Sequence, residues 1–181
     1  MENNNNKKLP GNYIAGFTDG EGCFCLKFRR DVRRERKNSP TYFYWSAEFA
    51  IAIRNDDVEI LKKIKNTLKC GRISFSRENA RYSVNKIEDL MHIIIPFFRK
   101  NRLYAKKRFD FELWSRAVEI IFNKTRIQRG AKKGKRGFEA IKWNNEEWEE
   151  LMDIRRKMRQ FKSKRPSGYK YDPLYSKGRV S

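Results

Sequence analysis

The chain has 181 residues, enough for one compact core and short for two. Its 43 Lys and Arg residues outnumber 22 Asp and Glu residues, and the net charge of +21 makes a polyanion the expected partner. A hydrophobic share of 39% excludes a disordered basic tail as the whole molecule. We therefore expect a polar tail over residues 1–11, one domain over 12–161 and a basic tail over 162–181.

No apolar run approaches the roughly 18 residues that a membrane span requires, and the Asn-rich start does not resemble a secretion signal. We expect an intracellular protein of a prokaryotic cytoplasm or an organelle, neither secreted nor bound to a membrane, without a small-molecule substrate. Three cysteines and the single His92 form neither a disulfide framework nor a structural zinc site. Any chemistry is therefore expected to come from carboxylates or a metal.

Residues 13–22 predict a short helix, with Gly16 and Gly20 on one face, where a second helix could approach closely. Asp19 and Glu21 place carboxylates at the negative end of the helix dipole, which favours a bound cation. Two such helices around a two-fold axis would bring together two Glu21 side chains and the Gly20 carbonyls. These oxygens suit Mg²⁺ or another divalent cation such as Mn²⁺. The alternative is that this segment is only a tight turn from helix to strand.

Alternating apolar and polar residues predict four strands, over 23–29, 42–54, 72–77 and 81–85. One side of the strands is apolar and would face a core: Phe24, Leu26, Phe28, Phe43, Trp45, Ala47, Phe49, Ile51, Ile53, Ile73, Phe75, Tyr82 and Val84. The other side is polar: Lys27, Arg29, Tyr44, Ser46, Glu48, Arg54, Arg72, Ser74, Ser76, Arg81, Ser83 and Asn85. These groups suit phosphates and base edges, so we predict that this polar face binds DNA, although strands also turn polar residues to water.

Capping patterns and apolar stripes predict the remaining helices. Asp56 with Glu59, Asn85 with Glu88, and Asn144 with Glu147 are spaced as capping boxes. Pro96 is expected to stop or bend the second of these helices. A helix over 106–122 would bury Phe109, Leu113, Trp114, Ala117 and Ile121, and residues 128–137 would form a linker or a phosphate-contacting loop. The element order predicts an α+β domain, αββαββα, with an antiparallel sheet and helices on one face.

Residues 14–22 read Ile-Ala-Gly-Phe-Thr-Asp-Gly-Glu-Gly and resemble the nine-residue signature of the LAGLIDADG homing endonucleases, with Glu at the second acidic position. The resemblance covers about residues 12–122. It implies the αββαββα fold with a DNA-binding saddle on the open face of the sheet. It also implies a site-specific endonuclease that hydrolyses both strands of a long pseudo-palindromic duplex with a divalent metal. Because one signature is present, the resemblance implies a homodimer.

Roles for individual residues follow from the same resemblance. Glu21 would bind the metal, Gly20 would offer its carbonyl, and Asp19 would position the helix end as part of the catalytic group. The basic residue at the scissile phosphate would be Lys106 as the first choice and Lys107 as the second. The dimer interface would include Ala15, Gly16 and Gly20.

The chain departs from the family at one position. Several relatives have Gln at the end of the second strand where this chain has Ile53 and Arg54, so the water-ordering role is absent or passes to Arg54. A protein of this fold could also bind DNA or RNA without cutting it, as an intron maturase or a regulator does. High charge alone does not separate RNA from DNA.

Overall fold

Strands and helices alternate along the chain much as the residue pattern predicts. The structure is a computed structural model that describes residues 8–32, 34, 41–131 and 141–160. The helices are α1 (Gly11–Glu21), α2 (Val58–Leu68), α3 (Ile87–Asp89), α4 (Ile95–Lys100), α5 (Lys107–Ala131) and α6 (Asn145–Gln160). The strands are β1 (Gly22–Val32), β2 (Thr41–Arg54), β3 (Arg72–Phe75) and β4 (Asn79–Val84). None of the described helices is long and apolar enough to cross a membrane.

The four strands form one antiparallel sheet in the order β1-β2-β4-β3. Phe49 of β2 lies opposite Phe24 of β1 on one side and Val84 of β4 on the other. Since side chains alternate between the faces of a strand, this register places apolar residues of neighbouring strands on the same face. The predicted α+β architecture with an antiparallel sheet is confirmed.

An aromatic cluster holds the helices against the apolar face of the sheet. The ring of Phe24 lies between 5.0 and 5.5 Å from those of Phe49, Phe98, Phe111 and Trp114. All five residues are nearly or fully buried. Aromatic pairs at such distances contribute about 0.5–1.5 kcal/mol each beyond the burial of their area. Helices α4 and α5 therefore cover this face, and the polar face stays open.

Two residues predicted to be buried are exposed. Phe109 is 45% exposed, while Phe111 is 3% exposed and takes its place in the core. Phe109 precedes Trp114 by five residues and so lies about 140° away around the helix, off the buried face. Phe75, the last residue of β3, is 65% exposed because β3 is an edge strand. It borders an open groove along α2 instead of packing into the core.

One of the three predicted capping boxes forms. The Glu147 backbone N–H donates to Asn144 Oδ1 at 2.7 Å, and the Asn144 N–H donates to Glu147 Oε2 at 3.1 Å. Helix α2 instead begins at Val58 after a 3₁₀ turn, and both Asp56 carboxylate oxygens accept from Arg54, at 3.3 and 2.9 Å. The prediction of a box at Asp56 was wrong.

The box at Asn85 is also absent, since Lys86 is the N-cap of α3 and makes no side-chain cap bond. Pro96 does not stop the helical run, which continues to Lys100. A π-helical turn, Leu90–Ile94, precedes it. Because proline has no N–H and crowds the preceding turn, a widened turn there accommodates the ring.

The ends of the predicted domain differ in detail. Helix α1 begins at Gly11, and the backbone N–H of Leu9 donates to Thr67 Oγ1 at 2.9 Å, so contacts start within the predicted N-terminal tail. Helix α5 extends to Ala131 and takes in the first residues of the predicted loop at 128–137. The rest of that loop, residues 1–7 and the predicted tail at 162–181 lie outside the described residues.

Candidate active site

Helix α1 ends at a junction that only glycine permits. A Cβ atom added at Gly22 would lie 2.4 Å from Thr18 Cγ2 and 2.7 Å from the Thr18 carbonyl oxygen. Glu21, the last residue of the helix, is exposed, and the next residue already pairs with Ile51 of β2. The close approach of helix and strand therefore fixes where the Glu21 carboxylate leaves the backbone.

Asp19 holds the loop before α5 against this helix end. Its Oδ2 accepts the backbone N–H groups of Tyr104 at 2.7 Å and Ala105 at 3.2 Å. Its Oδ1 is buried without a hydrogen-bond partner among the described residues. Asp19 thus acts on the protein's own backbone and positions the start of α5.

Lys107 lies at the same point. Its Nζ donates to the carbonyl oxygens of Asp19 at 2.8 Å and Gly20 at 3.0 Å. A cation at a helix C-terminus is favourable because the last carbonyls have no partner within the helix. Lys106, ranked first from the sequence, is exposed and does not hydrogen-bond to these oxygens. The structure therefore brings Lys107, and not Lys106, to the end of α1.

One side of α1 is open to solvent and nearly flat. A Cβ atom added at Gly16 or Gly20 would meet nothing within 4 Å. Tyr13, 48% exposed, stacks on Phe17 of the same face with 6.2 Å between ring centroids. Ala15 is only 1% exposed and faces the chain's own core. This burial does not fit the predicted place of Ala15 on the dimer interface, because the residue packs into the core of its own chain and away from the face with the two glycines.

The atoms at the end of α1 are oxygens, which is the type of ligand that a hard cation prefers. Two carbonyls converge on the Lys107 ammonium, which shows that they are aimed at a positive charge, and the Glu21 carboxylate is adjacent in the chain. Mg²⁺ prefers such oxygen ligands. Among the described residues, no three His, Cys, Asp or Glu side chains cluster so that they could hold a metal ion. The candidate ligands at this helix end are thus the Glu21 carboxylate and the two carbonyl oxygens.

The open face of the sheet contains the residues predicted to bind DNA. The exposed members are Lys27, Arg29, Ser46, Arg54, Arg72, Ser74, Ser76 and Asn85, and the half-exposed members are Tyr44 and Arg81. Arg29 lies over the Tyr44 ring, 5.1 Å from its centroid. Arg54 is at the same end of the sheet as Gly22, since Gly22 pairs with Ile51.

Two of the predicted DNA-binding residues are covered. Ser83 is 4% exposed, since β4 lies between β2 and β3 and Ser83 is in the middle of the sheet. Glu48 is 7% exposed beneath Lys27 and Arg81. The prediction that both meet DNA directly does not fit this burial. One feature of the sequence sets Glu48 apart: it is the single carboxylate among the predicted DNA-binding residues.

Several known proteins are similar to this chain in sequence. A probable intron-encoded endonuclease of Neurospora crassa is 30% identical over 137 residues, which are 70% of this chain and 28% of the relative. Homing endonuclease I-ApeII of Aeropyrum pernix is 27% identical over 121 residues, 64% of this chain and 65% of the relative. This chain matches only 37% of a probable intron-encoded DNA endonuclease of Mycosarcoma maydis. The chain thus spans well under half the length of the fungal relatives.

Solved structures agree with these relatives. The meganuclease I-SmaMI bound to uncleaveable DNA superposes with a TM-score of 0.58 and 28% identity, over 70% of this chain and 42% of that one. The homing endonuclease I-TnaI shares the fold with a TM-score of 0.60 and 21% identity, over 86% of this chain and 97% of that one. Residues 14–118 match the family described as LAGLIDADG endonuclease. This span confirms the resemblance inferred from residues 14–22: the chain belongs to the LAGLIDADG endonuclease family.

Proposed function

We propose that this protein is a metal-dependent DNA endonuclease that hydrolyses both strands of a long pseudo-palindromic duplex as a homodimer. The observation on which the proposal depends is the end of α1. There an open glycine face, an exposed Glu21 and a pair of cation-binding carbonyls lie together. Membership of the LAGLIDADG endonuclease family and the names of the relatives support it.

The open face of α1 suits a second copy of the same helix. Without side chains at Gly16 and Gly20, two backbones can approach closely, and Tyr13 and Phe17 add apolar area beside them. A two-fold axis along this face would pair each residue with its own copy or a neighbour. The two helix ends, each with one Glu21, would then lie side by side at the axis.

At that axis, Glu21 and the Gly20 carbonyl would hold Mg²⁺ or Mn²⁺. When bound, such a metal activates water and stabilises the leaving oxygen of a phosphodiester. Lys107 Nζ donates to the Gly20 carbonyl in the structure, so it would have to release this oxygen to the metal, and its charge would then lie beside the phosphate. Lys106, which is exposed, would contact the DNA backbone. Arg54 is a permanent cation paired with Asp56, so we assign it to phosphate binding and not to proton transfer.

The polar face of the sheet would bind the duplex. Its lysines and arginines provide donors for phosphates and for guanine edges, and a sheet can enter the major groove. The net charge of +21 adds affinity that does not depend on sequence and that falls steeply with salt. The two halves of the target are expected to be related by a two-fold axis, because the two chains of the dimer are.

The test is cleavage of a library of partly randomised palindromic duplexes in magnesium. We expect the wild type to cut a selected subset, and Glu21→Gln to bind the same duplexes but cut them about a hundredfold more slowly or worse. Glu149→Gln is the matched control, since Glu149 is an exposed glutamate on another helix, α6. If the wild type and both variants bind and none cuts, the chain is a DNA-binding protein without nuclease activity.

A further inference from the structure

A nearly buried carboxylate lies in the middle of the open face of the sheet. Glu48 is on β2, between Lys27 of β1 and Arg81 of β4. The Lys27 ammonium donates a hydrogen bond to Glu48 Oε2, and Arg81 Nη2 lies 3.2 Å from the same oxygen. One carboxylate oxygen therefore joins cations from both neighbouring strands.

Strand pairing does not by itself place Arg81 beside Glu48. Its Cα lies opposite Ala52, four residues along β2 from Glu48. The arginine side chain therefore extends along the face of the sheet to reach the carboxylate. Lys27 is likewise displaced, since the residue opposite Glu48 on β1 is Cys25.

Lys27, Glu48 and Arg81 differ from a surface ion pair because the carboxylate between the two cations is nearly buried. Burial by itself would raise the pKa of Glu48, but the hydrogen bond from Lys27 and the charge of Arg81 outweigh it and lower the pKa below its ordinary value. Glu48 is therefore ionised at neutral pH. Removing one partner from such a buried group leaves charge uncompensated, so the three groups are expected to act as a unit.

The two cations still have donors to offer. The side chains of Lys27 and Arg81 are 58% and 40% exposed, compared with 9% for the side chain of Glu48. An ammonium has three donors and a guanidinium has five, so bonding to one carboxylate oxygen leaves several directed at solvent. Such donors fit the O6 and N7 acceptors of guanine in the major groove.

We infer that Glu48 is a specificity-determining positioning residue, which holds Lys27 and Arg81 in one arrangement so that they donate to guanine edges and not to phosphates. The inference rests on the proposed function, because it requires that this face binds duplex DNA. Flexible cations bind phosphates of any sequence, whereas cations held in place pay less entropy to meet fixed acceptors. Glu48 also cancels one of the two positive charges, which weakens binding to arbitrary DNA.

This role predicts two effects of opposite sign in one variant. Glu48→Gln keeps the size of the side chain and removes its charge, so Lys27 and Arg81 are released. Affinity for an arbitrary duplex is expected to rise about threefold or more at low salt, with a steeper dependence on salt. The preference for the selected target is expected to fall about tenfold or more.

The experiment measures binding of the full chain, in EDTA and at several salt concentrations, to a duplex selected from a randomised library and to a shuffled duplex. Asp56→Asn is the control, because Asp56 pairs with Arg54 near the end of the same strand but both side chains are exposed, at 64% and 81%. It should leave the ratio of the two affinities within about twofold. Glu48→Asp, which keeps the charge, should recover part of the ratio.

The outcomes separate the inference from the proposed function. If Glu48→Gln lowers both affinities equally and lowers the melting temperature, Glu48 has only a structural role and the inference is overturned. An unchanged ratio overturns it as well. If the wild type itself prefers no duplex from the library, the proposed function fails and the inference falls with it.

Discussion

Asp19 joins two segments that are 85 residues apart in the sequence. Its Oδ2 accepts N–H groups of Tyr104 and Ala105, and the ammonium of Lys107, the first residue of α5, binds the Asp19 carbonyl. The first acidic residue of the signature is thus occupied within its own chain, while Glu21 two residues later is exposed. Two acids in one motif have different tasks, one in holding the loop and one facing outward.

Asp19→Ala is expected to destabilise the protein by about 1.5–3 kcal/mol, since it removes a charged acceptor from two backbone donors. Asp19→Asn should cost less, because its carbonyl oxygen can still accept. Urea denaturation monitored by circular dichroism measures both. Wild-type stability in Asp19→Ala would show that the loop does not depend on this side chain.

The choice between Lys106 and Lys107 shows where sequence reasoning stops at the residue scale. The two lysines are adjacent, so composition and spacing predict that either could reach the phosphate. The start of α5 at Lys107 and the path of the loop decide which ammonium meets the end of α1. These depend on contacts with Asp19, which is remote in sequence. Burial of Glu48 was unpredictable for the same reason.

At the scale of elements, a capping pattern does not by itself make a cap. Asn144→Ala is expected to cost about 1 kcal/mol, because Asn144 Oδ1 accepts the Glu147 N–H. Asp56→Ala, in an identical pattern, should change stability by less than about 0.5 kcal/mol, since Asp56 makes no cap bond and its ion pair is exposed. Thermal unfolding of the two variants compares them directly. Equal losses would contradict the assigned caps.

The open face of α1 gives a second prediction at this scale. Gly16→Leu has room in a single chain, and leucine favours a helix over glycine by up to about 1 kcal/mol, so the variant should fold. A second helix packed on that face would clash with the new side chain. Sedimentation velocity should therefore give the mass of one chain, 21.8 kDa, where the wild type gives two.

Glu149→Leu is the matched control for that experiment, since it also adds a leucine to an exposed helical position. It should sediment like the wild type. A Gly16→Leu protein that remains dimeric would place the interface elsewhere on the molecule.

Strands were predicted more accurately than helix faces, for a physical reason. Alternation with period two places residues on one of two faces, and the 14 residues of β2 repeat it many times. A helix face is read from fewer turns, and at its first turn a residue such as Phe109 can lie beside the buried stripe. The edge position of β3, which exposes Phe75, depends on the order of strands and not on the strand's own residues.

At the scale of the whole molecule, the proposed site would be shared by two chains. A net charge of +21, an open polar face and one signature helix belong to a chain that would meet DNA and a second copy of itself. Within the described residues no metal-binding cluster of three side chains is complete. In the proposed dimer, two chains act on one target, each with its own Glu21.

Mixing the wild type with Glu21→Gln tests this arrangement most directly. At fixed total protein, after the chains have been equilibrated in equal amounts, about a quarter of random dimers contain two Glu21 carboxylates. The initial rate of double-strand cleavage should therefore fall to about a quarter of the wild-type rate. A fall to about half would mean that one chain cuts both strands on its own, and it would contradict the dimeric site.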